Sequence, residues 1–417
     1  MKESHREEVT SAAIGLFICG SGKDGPEPAS VPAKARELRV QKTDSVVVSV
    51  PDRTKGNVAM NEAIALLAAG FLLAGSPGLP GEGISITKIF GTEIPGEYKL
   101  PASITELDNG DLYLVYYGGS GEYEQDSCLW GSRLKRDETT WSRPVVVADA
   151  PFYSEGNPVV WQAPDGLVWL FYVQRYGTTW SDSRIHAKIS KDGARTWSDS
   201  FVVAAELGKM VRSHPIVLKD GDYLLPVYHE TGHDPEFVAP DTCSLFLRYS
   251  PRTHTFTETN RIYSRKGNLQ PAAVQLTDEH LVAYCRRGGG YEPIQDGYMV
   301  RSESNDGGRT WSQGVETEFP NPNGSLQFIK LRNGHLLLVY NDNMNDERPL
   351  TAAISTDGAK TFPYRRNIVD GDNVFSYPTA IQTRDGKIHV LYITDERKTV
   401  MRAVFDENAL LGNSSAK

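Results

Sequence analysis

The stretch Ser304-Asn305-Asp306-Gly307-Gly308-Arg309-Thr310-Trp311 decides the fold, because the chain repeats it in worn form. Ser190-Lys191-Asp192-Gly193-Ala194-Arg195-Thr196-Trp197 is a second copy and Ser355-Thr356-Asp357-Gly358-Ala359-Lys360-Thr361-Phe362 a third. The octapeptide is a hairpin turn: its Asp accepts from backbone N–H groups further along, its Gly supplies a positive φ, and its closing aromatic returns to a sheet as an apolar plug. Asp137–Trp141 and Ser250–Phe256 read as eroded copies. The five aromatic ends, at 141, 197, 256, 311 and 362, are 56, 59, 55 and 51 residues apart, which is a repeat architecture.

A second register keeps the same period. A turn pair followed by an apolar run starts at 109, 165, 220, 278, 333 and 385, and each run closes on a tyrosine. Most runs follow a proline-led segment, at Pro101, Pro158, Pro215, Pro271 and Pro378. Each unit therefore reads as an inner strand A, a turn, strand B, and a C–D hairpin carrying the octapeptide. That predicts an all-β, six-bladed β-propeller of four-stranded antiparallel blades. The last unit shows only three strands, so the spare run Ile84–Phe90 is expected to supply its outer strand and close the ring. The propeller is expected over residues 82–410, after a leader at 1–81 and before a tail at 411–417.

Hydrophobic residues make up 39% of the 417, enough for a core, and the formal net charge of −9 argues against nucleic acid or an anionic membrane surface as partner. An anionic small substrate remains compatible, since a basic pocket can sit in an acidic surface. The four cysteines, Cys19, Cys128, Cys243 and Cys285, lack metal-ligand spacing, and no metal or cofactor is expected. Residues 60–76 are apolar but short for a membrane span; they have the length of a signal-peptide core and end in small residues, though no basic flank precedes them. A start at Met60 and a secreted or periplasmic destination would follow from the signal reading; a helix packed on the propeller is the alternative.

In a propeller the first residues of strand A and the last of strand B face a central funnel. The repeat register puts Lys99, Asn157, His214, Gln270, Asn323 and Tyr377 on the A side. On the B side it puts Glu122, Asp126, Arg175, His229, Glu230, Arg286, Arg287, Asn341, Asp342 and Arg397, with Arg348 after the fifth strand B.

These octapeptides are the Asp boxes of the sialidase superfamily, and over residues 95–410 the chain resembles its bacterial Asp-box members. The resemblance implies a site in which three arginines bind the substrate carboxylate, a tyrosine is the nucleophile, a carboxylate activates it, and an aspartate is the acid/base. A neutral phenol suits an anomeric carbon that bears a carboxylate, and an arginine fork suits the carboxylate itself. Carried over, the first arginine falls on Lys99 in Tyr98-Lys99-Leu100-Pro101, the second on Arg286, the third on Arg348, the tyrosine on Tyr377 and the acid loosely on Asp126. The tyrosine's carboxylate falls near Gln270, which cannot take a proton; Glu230 is the substitute one blade earlier. Lys99 keeps the charge but loses the fork.

The expectation is a carbohydrate-active enzyme that hydrolyses a terminal acidic sugar from a glycan. Tyr377, Asp126, Glu230, His229 and His214 are its candidate catalytic residues. Lys99, Arg286, Arg287, Arg348, Arg175, Gln270 and Asn341 are its candidate substrate contacts. The alternatives are a lyase that eliminates next to a uronic acid, with His214, His229 or Tyr377 taking the C5 proton, and a glycan-binding propeller without turnover. His229-Glu230-Thr231-Gly232-His233 matches a zinc-protease motif, but follows a strand-like run and meets Gly232 and Pro235, which forbids the helix that chemistry needs.

Overall fold

A computed structural model describes residues 83–235 and 237–412. The leader, its signal-like segment and residues 413–417 lie outside the described residues. Six four-stranded antiparallel sheets form the six blades of a β-propeller, each in the order A-B-C-D from the centre outward. Blade one runs Tyr98–Glu106, Leu112–Gly119, Cys128–Leu134, Val145–Ala148. Blade two begins with Ser154–Gln162 and Val168–Arg175, and blade four with Asn268–Gln275 and Leu281–Arg287. In blade three the inner strand is broken into Lys209–Val211 and Ile216–Val217, both paired with Tyr223–His229.

The spare run before the first repeat does close the ring. Ser85–Phe90 lies antiparallel to Thr399–Phe405 and is the outer strand of blade six, whose inner strands are Ser376–Gln382 and Ile388–Thr394. Neighbouring inner strands are stitched by side chains: Thr379 Oγ1 donates to the Ala102 carbonyl at 2.8 Å, and the Val160 amide to Ser103 Oγ at 3.1 Å.

The octapeptides connect strands C and D. In the copy at 304–311, the Asp306 carboxylate accepts from the Arg309 and Thr310 amides and from the hydroxyls of Ser304 and Thr310, at 2.6–3.0 Å. Asp192 and Asp357 repeat the pattern. Each closing aromatic is a wedge against the preceding blade: Trp311 stacks on Phe246 at 4.3 Å, Trp197 meets Tyr113 at 6.3 Å and Phe362 meets Tyr284 at 6.1 Å. A turn of local origin thereby sets an inter-blade contact.

Asp306→Ala should cost about 1–2 kcal/mol, the net value of a lost multidentate cap, read as a lower melting temperature with unchanged activity. These bonds hold the carboxyls of Asp306 and Asp357 down at about 2, burial opposing the hydrogen bonds at Asp306. Because the folded values are depressed, this contribution is present above the ordinary carboxylate range and is lost as pH falls toward about 2.

Candidate active site

The inner strands are not regular where they meet the funnel. Pairing slips between Leu100 and Ala102, Gly156 and Val159, Leu269 and Ala272, and Ser376 and Thr379, a bulge in the same place in four blades. Asn157, Gln270, Asn323 and Tyr377 take positive φ of 46°, 51°, 65° and 53°. Non-glycine residues rarely hold that conformation, and bulges re-aim side chains beside active sites. The slip occurs at the proline-led segments, where the ring nitrogen cannot donate to a ladder.

The funnel so formed is lined by Asn157, Tyr228, Gln270, Arg286 and Tyr377 from the blade strands, by Glu230 just past one of them, and by Glu122, Trp180, Pro235, Val238 and Tyr291 from the segments between the blade strands. Its enclosed volume is about 30 Å³, room for one or two waters. Arg286 is buried, and each of its nitrogens donates once, which leaves two of its five N–H groups: Nε donates to Asn323 Oδ1 at 2.8 Å, Nη1 to Gln270 Oε1 at 3.3 Å and Nη2 to Tyr291 Oη at 2.8 Å. Arg397 Nη1 donates to Glu122 Oε2 at 2.7 Å and to Tyr98 Oη at 3.1 Å, while Tyr98 Oη donates to the same carboxylate oxygen at 2.6 Å. Trp180 Nε1 donates to Glu122 Oε1 at 3.3 Å. The Tyr377 hydroxyl makes no hydrogen bond among the described residues. Two cations flank its ring, Arg212 at 5.7 Å and Arg397 at 5.9 Å.

Arg212 is fully buried and has no carboxylate partner among the described residues; it donates to Thr379 Oγ1 and to the Pro378 carbonyl, both at 3.0 Å. It therefore grips the bulge that carries Tyr377. Gly208 lets the backbone at Glu230 approach closely: a Cβ there would meet the Glu230 carbonyl at 2.3 Å.

Burial pushes the Glu230 carboxyl up to about 7, with Arg286 opposing and Glu122 adding to the rise. Tyr377 is pushed well above the ordinary phenol range, first by burial, then by Glu122, against Arg286 and Arg397. Burial brings Arg212 down to about 10. Arg286 and Arg397 stay above the usual guanidinium value although burial works against them, held there by Tyr377 and other funnel groups. The site thus joins a neutral phenol, an ion-paired carboxylate at Glu122, a carboxyl at Glu230 that changes charge near neutrality, and three guanidiniums. Acid–base chemistry on an anionic ligand is within its reach.

Of the residues read from the sequence, Tyr377, Gln270, Asn157, Arg286, Glu122 and Glu230 line this funnel, with Asn323 bonded to Arg286 and Arg397 to Glu122. The other catalytic and substrate candidates stand elsewhere. Lys99 is buried with Nζ turned to the carbonyls of Ile94 and Gly96, at 3.3 and 2.5 Å. Arg348 is tied to Asp346 and the Asp372 carbonyl, and Arg287 to the carbonyls of Asn321, Gly288 and Gly290. Asn341 is spent on the Pro349 and Phe375 carbonyls. Asp126 is exposed and caps its own loop through Ser120. His229 pairs with Glu206 and Arg261. It ends a strand, so the motif at 229–233 presents no helix, and no cluster of metal-ligating residues occurs among the described residues. His214 faces the opposite mouth of the channel, bonded to Ser103 at 3.1 Å, beside a cavity of about 420 Å³ lined by Thr105, Gln162 and Ile329. Arg175 lies under the rim, stacked between Tyr123 and Trp180 at 5.1 and 5.4 Å.

Sequence reasoning passed over Arg212, Trp180, Tyr228 and Tyr291. Arg212 had a signal: it stands two residues before His214 in blade three's proline-led segment.

The sequence profile of the BNR repeat-like domain matches residues 110–390. No curated protein sequence matches the chain. Among solved structures it is similar to a Hadza microbial sialidase, at 16% identity and a TM-score of 0.63, covering 75% of this chain and 66% of that one. The chain thus spans just under two thirds of that sialidase. It is similar to the NanB sialidase from Streptococcus pneumoniae, at 10% identity and a TM-score of 0.64 over 78% of this chain and 71% of that one. It is also similar to an α-L-arabinanase from Penicillium chrysogenum, at 14% identity and a TM-score of 0.55 over 79% and 99%. At these identities what the structures share is the fold. With its profile match spanning most of the propeller, the chain belongs to the BNR repeat-like domain family.

Proposed function

We propose that the funnel holds the terminal acidic sugar of a glycan and hydrolyses its glycosidic bond. One observation carries this reading: the unbonded hydroxyl of Tyr377 opens into a pocket that has guanidiniums on several sides and the carboxyl groups of Glu122 and Glu230 in its lining. Arg286 and Arg397 supply cations for the sugar carboxylate. Glu122, ion-paired with Arg397, takes the phenol proton as Tyr377 Oη bonds to the anomeric carbon. Glu230, protonated near neutrality, gives its proton to the departing glycosidic oxygen. Water then displaces the tyrosine, giving one proton to Glu230 and keeping the other on the new sugar hydroxyl, while Glu122 returns the phenol proton to Tyr377. A carboxyl whose pKa is raised by burial is suited to the acid role. This assigns to Glu122 and Glu230 the parts that the family pattern gave to residues at Gln270 and Asp126. Named sialidases among the structural neighbours support the substrate class.

Gln270, at the place of the family's activating carboxylate, favours a second reading, β-elimination beside a uronic acid with Tyr377 as the base. Products separate the two. A panel of sialosides and uronate oligosaccharides should give saturated sugars that have gained water; an unsaturated, ultraviolet-absorbing uronide would replace hydrolysis by elimination. Binding of these glycans with no product would leave a lectin-like role.

Glu230→Gln should remove the alkaline limb of kcat/KM. In the wild type that limb descends through about 7, because activity needs the protonated form. The loss should be about 10²–10³-fold for glycans with poor leaving groups and small for nitrophenyl glycosides, which need no proton. Stability runs the same way: a raised folded pKa means the wild type loses stability as pH rises from the ordinary carboxylate value to about 7, and Glu230→Gln should be free of that loss.

A further inference from the structure

On the funnel's own face, beside blade two, stands an aromatic group that the reaction above does not use. Phe152 is 86% exposed and holds a φ of 69°. Next to it Tyr153, 39% exposed, pairs with Tyr176 at 4.9 Å between ring centres, and Arg184 covers the other ring at 4.9 Å. Tyr176 is further fixed by a 2.9 Å contact between its hydroxyl and His186 Nε2. A large apolar side chain in water gains nothing from burial, and a left-handed backbone at a phenylalanine is strained. The fold recovers neither cost at Phe152, whose ring is directed to solvent.

The location supplies the occupant. Phe152 and Tyr153 immediately precede the inner strand Ser154–Gln162, whose Asn157 lines the funnel, and Tyr176 follows the paired strand Val168–Arg175. Four residues of extended chain put the tyrosine pair roughly 13 Å from Asn157, on the order of two or three sugar rings. The gap is bridged by Trp180, which lines the funnel and lies on Gly156 so closely that a Cβ there would meet its ring at 2.8 Å. Rigid rings with polar tips suit the C–H faces and hydroxyls of a neutral sugar. Three side chains are far too little surface for a protein partner, which needs about 800 Å² a side.

We infer that Phe152, Tyr153 and Tyr176 form a separate subsite for the neutral sugars that carry the acidic terminus, so that the protein selects oligosaccharides over simple glycosides. This rests on the reading of the funnel as an acidic-sugar site. The test compares wild type, Phe152→Ala and Phe152→Trp on 3′-sialyllactose, a glucuronyl-capped trisaccharide, and aryl glycosides of both acids. A parallel titration with lactose alone follows the tyrosine ring resonances. Phe152→Ala should lose at least tenfold in kcat/KM on the trisaccharide that is turned over and keep its aryl glycoside activity, with Phe152→Trp restoring the difference. Lactose should shift the tyrosine resonances of the wild type and not of Phe152→Ala. Equal losses on both substrate types, or no loss, overturn the subsite. If no acidic glycan is turned over, the funnel reading fails, and the lactose titration still decides the subsite: no shift in the wild type rejects it. Phe152→Gly adds a control, since it relieves the positive φ: melting temperature should rise while the oligosaccharide preference disappears, a pairing that a purely structural phenylalanine would not give.

Discussion

Tyr377→Phe abolishes turnover and spares binding: kcat falls by about 10³–10⁴-fold, the range for loss of a nucleophile or of a positioned acid–base group, while the glycan dissociation constant stays within a factor of about two, as expected when no ligand hydrogen bond is deleted in the ground state. The asymmetry follows from what the hydroxyl touches. It bonds nothing among the described residues, so its removal breaks no structural contact. The ring stays, with Arg212 and Arg397 still flanking it. Stability should therefore move by no more than about 0.5 kcal/mol, which separates this variant from one that simply unfolds. Isothermal titration with a non-cleaved glycoside and product mass under single-turnover conditions give the two readouts. Turnover at the wild-type rate would take Tyr377 out of the mechanism, and a matching loss of affinity would make it a binding residue instead.

The residues that reached the funnel by sequence reading are those the repeat controls. Asn157, Gln270 and Tyr377 sit just before the prolines of their blades, and the bulge at those prolines turns each one inward. Blade three breaks the rule for a physical reason. Its inner strand is interrupted between Val211 and Ile216, which carries His214 toward the far mouth and leaves Arg212 at Tyr377. Loop residues carry no period at all. Glu122 and Asp126 share one loop, and only hydrogen bonding tells them apart: Ser120 captures Asp126, while Tyr98, Trp180 and Arg397 hold Glu122 at the funnel. Lys99 stands where a family arginine would, yet its amine is spent on nearby carbonyls. Its backbone N–H donates to the Arg397 carbonyl at 2.8 Å, so blade one presents the cation of blade six in place of its own. The octapeptides, by contrast, were readable to the residue because their bonding is completed within eight positions.

Arg286→Lys should lower kcat/KM on an acidic glycan by about 10²-fold, and Arg286→Gln by about 10³-fold, because a fork that meets a carboxylate with two bonds becomes first a point charge and then no charge. Affinity alone would not separate recognition from damage, since the same guanidinium holds Asn323, Gln270 and Tyr291. The pH profile does. Arg286 is the group that opposes the burial-driven rise at Glu230. Removing its charge leaves burial and Glu122 unopposed, so the Glu230 carboxyl rises further and the alkaline limb of kcat/KM moves above about 7. Arg286→Lys keeps the charge and should leave the limb close to its wild-type position while still losing the fork. A structural role would depress both variants alike and move neither limb. An unshifted limb in Arg286→Gln would mean that Glu230 and Arg286 do not act in one site, and the division of acid and base between Glu230 and Glu122 would have to be redrawn.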